Sequence, residues 1–172
     1  ISAARNTGAE NARGEYLVPL DDDDVPTANW LSGLDRAIGA TDAAFASCGY
    51  RVVDYDTGTE ISRSLPHDRG PEFGHKVASL LAGTFAVRRA VYLVIGGFAE
   101  GLRSSHQTEF GLRLLPVCDE RGWGVESTDE VLIDIRRRGK TERFERNPAK
   151  LLDGTQFIID RHEARLARSP TM

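Results

Sequence analysis

Cysteine is scarce in this chain, with Cys48 and Cys118 the only two in 172 residues. Two thiols cannot build the disulfide framework of a small secreted domain. With no secretory h-region and no apolar run of membrane length either, the expected setting is the reducing cytoplasm. Neither thiol has the neighbours of a metal ligand or a nucleophile, and no zinc cluster or nucleophile elbow is present. Methionine occurs once, at Met172, so a chain opening at Ile1 carries no translation start of its own and is expected to be a fragment. A strong excess of one charge is missing too: the formal net charge is −4, which makes no general case for a nucleic-acid partner.

With 40% apolar and 28% charged residues, the chain suits a single globular domain with a sizeable core. Its charge is uneven. From Arg136 onward there are ten Lys/Arg against five Asp/Glu, and the preceding part holds 12 basic and 21 acidic residues. A basic tail beside an acidic site suits an anionic donor or an anionic surface, so peripheral membrane association is an open expectation; an ordinary charged helix face is the alternative.

Local patterns lay out an α/β chain without repeats or low-complexity blocks. Ser2 to Ala12 has helical composition, and Gly14 can stop that helix before the apolar strand Tyr16 to Leu20. Trp30, Leu31, Leu34, Ala37 and Ile38 recur at helical spacing and are expected in the core. Phe45 to Val53 reads as a strand, followed by hairpin-turn chemistry at Asp54 to Thr59 and a return strand from Glu60 to Arg63. Leu65 to His75 reads as a surface loop. The apolar stretch Val77 to Arg88 precedes a short helix, Arg89 to Ile95, stopped by Gly96-Gly97. A longer helix from Glu109 to Arg121 is expected to kink or end in part at Pro116. Strands at Val125 and Val131 to Ile135 and a last helix over about 148–168 complete the reading. Trp30 and Trp123 are expected in the core.

The decisive feature is the run of four aspartates, Asp21 to Asp24, directly after the apolar strand. Carboxylates at the end of a buried strand lie where α/β folds bind ligands. Hard cations such as Mg²⁺ or Mn²⁺ pair one or two carboxylates with substrate phosphates, so the run suits a metal-bound diphosphate. A solvated acidic turn is the bland alternative. An EF-hand is disfavoured, because Val25 and Pro26 stand where that loop needs a ligand and a glycine.

Three pieces in order, Ala4-Arg5-Asn6-Thr7-Gly8, Ala12-Arg13-Gly14-Glu15-Tyr16-Leu17 and Leu20-Asp21-Asp22-Asp23-Asp24, resemble the middle of the family 2 glycosyltransferases. Downstream, Gly83-Thr84-Phe85 and Gly96-Gly97-Phe98-Ala99-Glu100 resemble that family's later motifs, the second with Ala99 where aspartate is usual. His106 to Leu114 resembles its acidic catalytic helix. The resemblance covers about Ile1 to Arg138. It implies a GT-A (Rossmann-like) fold, with a mixed, mainly parallel sheet flanked by helices. It also implies that the N-terminal nucleotide-binding strands are missing, so that residues 1–172 are one partial catalytic domain.

The implied activity is metal-dependent transfer of a sugar from a nucleotide-diphosphate donor to an acceptor hydroxyl, with inversion. The acceptor's class is open among glycan, lipid-linked and small-molecule hydroxyls. By resemblance, Asp21 and Asp22 face the donor, although Asp22 is also readable as the variable middle residue, and Asp23 and Asp24 hold a divalent cation, Mg²⁺ or Mn²⁺. Arg5, Asn6 and Arg137 are further donor contacts, with a helix cap as the alternative for Asn6 and a solvated charge run as the alternative for Arg136-Arg137-Arg138. Gly96, Gly97 and Phe98 shape the acceptor side, unless Phe98 is simply buried. An inverting transfer needs a proton acceptor, yet the family's Glu-Asp pair falls on His106 and Gln107, and glutamine cannot act as a base. Glu109 or His106 is expected to take that role, with an Arg113 partner at i,i+4 as the plain alternative for Glu109. A catalytically silent binding or assembly module is the competing reading.

Overall fold

The structure is a computed structural model and describes residues 1–70, 73–102, 104–137 and 148–167. Helix α1 (Ser2–Asn11) leads into β1 (Tyr16–Leu17), and the aspartate run leads into β2 (Val25–Pro26) and α2 (Trp30–Gly39). The hairpin β3 (Phe45–Asp54) and β4 (Glu60–Ser64) follows, then the two-residue ladder of β5 (His67–Asp68) with β6 (Lys76–Val77). The chain continues through β7 (Phe85–Arg88), α3 (Arg89–Val94), α4 (His106–Arg121), β8 (Val125–Arg137) and α5 (Pro148–Leu166). Pro71 and Glu72 of the expected loop, Arg138 of the basic run and Arg168 at the end of the expected last helix lie outside the described residues.

The main sheet runs β1-β7-β3-β8-β2, with β4 added to β3. The expectation of a mainly parallel sheet is corrected here. Only β3 with β8 is parallel, and every other described pairing in this sheet is antiparallel. The reason lies in the connections: β3 turns directly back into β4, whereas the chain between β3 and β8 is long and passes through β7, α3 and α4 before β8 returns alongside β3. That turn forms as its residues dictate, with the Asp54 carboxylate accepting the backbone N–H groups of Asp56 and Thr57 at 3.1 and 2.9 Å. Val125 and Val131 to Ile135 belong to one long strand, whose register shifts opposite Cys48 to Tyr50.

Alternation along β3 divides the core between two faces. Phe45 joins Phe85, Phe110 and Leu114 beneath α4, while Ala46 and Cys48 meet Leu34, Ile38 and Leu132 beneath α2. Trp30 packs on the second cluster with Leu34 and Ile38, one helical turn apart in succession. Leu31 lies about 100° off that line and is 58% exposed, against the expectation that it is core. Both cysteines are buried, and burial pushes their thiols up to about 12 for Cys48 and about 11 for Cys118, leaving them inert.

Pro116 does not end α4, which runs on from His106 to Arg121. It lacks the N–H that would bond the Leu112 carbonyl, and Arg165 of α5 supplies the missing donor to that oxygen at 2.7 Å. Among the described residues, no helix is long and apolar enough to cross a membrane.

Candidate functional site

β1 and β2 are the opposite ends of the strand order, about 19 Å apart at the usual interstrand spacing. Residues 18–24 are all that joins them, and seven residues reach about 24 Å. The segment carrying the aspartates therefore crosses the end of the sheet, folding on the way into a turn at Asp21–Asp24 in which the Asp24 N–H donates to the Asp21 carbonyl at 3.3 Å. Since β1 runs parallel with β3 and β8, that end is the carboxyl end of all three strands, the ligand-binding end of open α/β sheets.

Gly83 holds the segment down. Its N–H donates to the Pro19 carbonyl at 2.5 Å, and its own carbonyl accepts the Trp30 indole N–H at 2.7 Å. Its φ of +79° lies in the left-handed region, and a Cβ there would come within 1.8 Å of Ile133 Cδ1, so only glycine fits.

The four aspartates have different surroundings. Asp22 and Asp23 are exposed. Asp21 accepts a charge-assisted bond from Arg5 Nη2 at 2.7 Å. Asp24 is only 9% exposed, and its Oδ1 accepts the Arg136 N–H at 3.1 Å. Burial raises the Asp24 carboxyl to about 6; that hydrogen bond and the Arg137 charge oppose the rise, and Asp23 and Asp21 add to it. Arg137 thus lies within electrostatic reach of the run, with its Nη1 donating to the Arg136 carbonyl at 3.0 Å. Among the described residues, no three His, Cys, Asp or Glu side chains converge as a ready-made metal cage. That donor set fits a hard cation held by one or two carboxylates and completed by substrate oxygens and water.

Arg5 is 13% exposed, its guanidinium lies 5.3 Å from the centre of the Phe98 ring, and its Nη1 is buried with no hydrogen-bond partner. Asn6, its neighbour on α1, is fully engaged with protein. Asn6 Oδ1 accepts from Tyr92 Oη at 2.8 Å and from the Phe98 N–H at 2.9 Å, and Nδ2 donates to the Phe98 carbonyl at 2.9 Å and to Glu100 Oε1 at 3.1 Å. The expectation that Asn6 contacts the donor is corrected: its polar atoms are spent on the loop after α3.

That loop is held from its other side by Arg113, which donates to the Ile95 and Gly97 carbonyls at 2.5 and 2.6 Å. Gly97 has φ +62°, and a Cβ there would lie 2.5 Å from Asn6 Oδ1. Phe98 is 2% exposed and stacks on Phe110 with ring centres 4.5 Å apart. It is a core residue, and the expected sugar-facing ring is not at the surface.

The two expected proton acceptors are both sealed. Glu109 is fully buried in a bidentate pair with Arg113, at 2.6 and 2.7 Å. Arg161 and His162 of α5 approach the same carboxylate at 3.3 and 3.6 Å. The Glu109 base is thereby corrected to a buried anchor that joins α4, the Gly96-Gly97 loop and α5. His106 is 9% exposed, its Nε2 is unpartnered, and its ring meets Phe98 edge-on at 6.1 Å. Burial, then the nearby Arg5 charge, pull its pKa down to about 4, so the imidazole is neutral at pH 7.

Sequence reasoning did not single out Tyr92, Arg161, His162 or Arg165. Only the i,i+4 spacing of Glu109 and Arg113 carried a local signal; the other contacts join segments far apart in the chain.

The family profile described as "Glycosyl transferase family 2" matches residues 1–96. No curated protein matches the sequence. Among solved structures, S. aureus TarS 1-349 is 14% identical, with a TM-score of 0.63 over 99% of this chain and 46% of that one. TarS 1-349 in complex with UDP-GlcNAc gives 14% identity and a TM-score of 0.65 over 100% of this chain and 48% of that one. S. aureus TarS gives 13% and 0.63 over 99% and 28%. This chain spans less than half the length of each, and at these identities the likeness is one of fold. With more than half of its residues matched by the family profile, the chain belongs to glycosyl transferase family 2.

Proposed function

We propose that this chain carries part of the active centre of an enzyme that transfers a sugar from a nucleotide-diphosphate donor to an acceptor hydroxyl, with inversion. The observation that carries this reading is the aspartate run laid across the carboxyl ends of the strands, with Arg5 bonded to Asp21. Asp23 and the buried Asp24 are the residues to hold a divalent cation, Mg²⁺ or Mn²⁺. Bound there, the cation neutralises charge growing on the departing diphosphate. Asp21, kept in place by Arg5, suits the ribose hydroxyls, and Arg137 adds positive charge beside the same carboxylates.

Arg5 Nη1, buried and unpartnered, supports a place for a donor oxygen, since the guanidinium fork matches phosphate geometry. The loop at Gly96-Gly97 forms the acceptor side by its backbone shape. Because TarS 1-349 was solved with UDP-GlcNAc, uridine diphosphate is the first ligand to try. UDP binding measured by calorimetry should require Mn²⁺ and be abolished in Asp23→Ala. Binding that is indifferent to both metal and Asp23 removes the metal assignment.

A second reading, a silent binding or assembly module, is favoured by Gln107 standing where the family places its carboxylate and by the burial of Glu109. Mn²⁺-dependent UDP binding without any donor turnover would select it.

A further inference from the structure

An inverting transfer needs a group that removes the acceptor proton as the new bond forms. Gln107 cannot do so, Glu109 is fully buried and paired with Arg113, and Asp21 is tied to Arg5. The acceptor-side loop carries one further carboxylate, on Glu100, which is exposed. It accepts from Asn6 Nδ2 at 3.1 Å. Asn6 is itself immobilised by three more bonds, to Tyr92 Oη and to the N–H and carbonyl of Phe98. Consecutive residues of α1 thus hold the two halves of the site together: Arg5 grips the aspartate run through Asp21, and Asn6 grips the acceptor loop through Phe98 and Glu100. The halves also touch, since Phe98 lies beneath the Arg5 guanidinium at 5.3 Å.

We propose that Glu100 is the proton acceptor of the transfer and that Asn6 is the positioning residue that aims it. The proposal rests on the glycosyl-transfer reading. The Glu100 carboxylate takes the proton of the acceptor hydroxyl while that oxygen bonds to the anomeric carbon. The bond from that carbon to the diphosphate oxygen breaks, and its electron pair leaves with the nucleotide. A solvent-open carboxylate oriented by an amide suits this role, because the acceptor must reach it from outside while its direction stays fixed.

The test uses water and azide as acceptors, with Mn²⁺ and the donors UDP-GlcNAc, UDP-glucose and GDP-mannose, and reads nucleotide release. Water must lose a proton during attack, whereas azide attacks as an anion and needs no base. Glu100→Gln should lower release into water about 100-fold, leave nucleotide affinity unchanged and keep azide-driven release near the wild-type rate. Asn6→Ala should lower kcat for the water reaction with KM for the donor unchanged, and azide should rescue it in the same way.

Glu100→Gln retaining water-driven release within threefold, while Asp23→Ala abolishes it, overturns the Glu100 assignment and leaves the transferase reading standing. Equal loss with water and azide also overturns it, because the damage is then structural. The wild type and the variants are compared in the full-length protein that carries this chain; if that wild type binds no nucleotide and turns over no donor, the transferase reading is overturned, and the assignment falls with it.

Discussion

Arg165 of α5 donates to the Leu112 carbonyl of α4 at 2.7 Å, on the oxygen that Pro116 leaves without its helical partner. A break in one helix is thus mended by a side chain from another, 53 residues further along. Arg165→Ala should cost about 1.5–3 kcal/mol, the range for a hydrogen bond to a charged group. In a Pro116→Ala background the helix supplies its own donor, and the same substitution should cost under about 1 kcal/mol. Urea denaturation of the four proteins in this double-mutant cycle checks the coupling.

Glu109 is the other anchor of α5. Removing its carboxylate leaves Arg113, only 14% exposed, without its counter-charge, and truncating one partner of such a buried pair costs about 3–5 kcal/mol. Glu109→Ala should therefore unfold at markedly lower denaturant. If its stability stays within 1 kcal/mol of the wild type, as the shift in the denaturation midpoint would show, the anchoring role is wrong.

Gly97 links the fold to the site. An alanine there meets both the positive φ and the 2.5 Å approach of its Cβ to Asn6 Oδ1. The strain should be about 1–3 kcal/mol, and it falls on the residue that holds Phe98 and Glu100. Gly97→Ala should consequently lower both the melting temperature and donor turnover while leaving Mn²⁺-dependent UDP binding intact. Gly96→Ala, with nothing within 4 Å of its Cβ, should bear only the φ penalty.

Two buried groups should oppose one another as pH changes in metal-free buffer. The His106 pKa is held at about 4 against an ordinary 6.5. The unfolded chain therefore binds the extra proton first, and the His106 contribution is complete above pH 6.5 and lost as pH falls toward 4. Asp24 is raised from 3.8 to about 6. There the folded state keeps its proton longer, so stability is complete below pH 3.8 and falls as pH rises through 6. Each effect is at most about 3 kcal/mol. Relative to the wild type, His106→Asn should gain stability as pH is lowered from 6.5 to 4, and Asp24→Asn should gain it as pH is raised from 4 to 6. Denaturation midpoints at four pH values test the signs, and two parallel curves would refute them.

Much of the scaffold is legible residue by residue. The hairpin follows from Asp54 and its turn neighbours, the end of α3 from Gly96-Gly97, and the seat of α2 from the spacing of Trp30, Leu34 and Ile38. Strand direction in the sheet is not legible in this way, because it depends on which connections cross over and which fold straight back. Nor is the role of Asn6, whose partners Tyr92, Phe98 and Glu100 lie some ninety residues away. Glu109 has the i,i+4 arginine that its spacing announces, yet its burial comes from elsewhere: Arg161 and His162 approach it from the last helix.

By itself the sequence determined the order of elements and the aspartates at the end of an apolar strand, together with the family motifs around them, because turns, helical periods and short motifs depend on near neighbours. Which chemically able side chains stand open and which are sealed was decided only by the tertiary structure. Exposure is set by segments brought together across the fold, and here α5 and the loop after α3 close over Glu109 and Phe98 while leaving Asp22, Asp23 and Glu100 in reach of solvent.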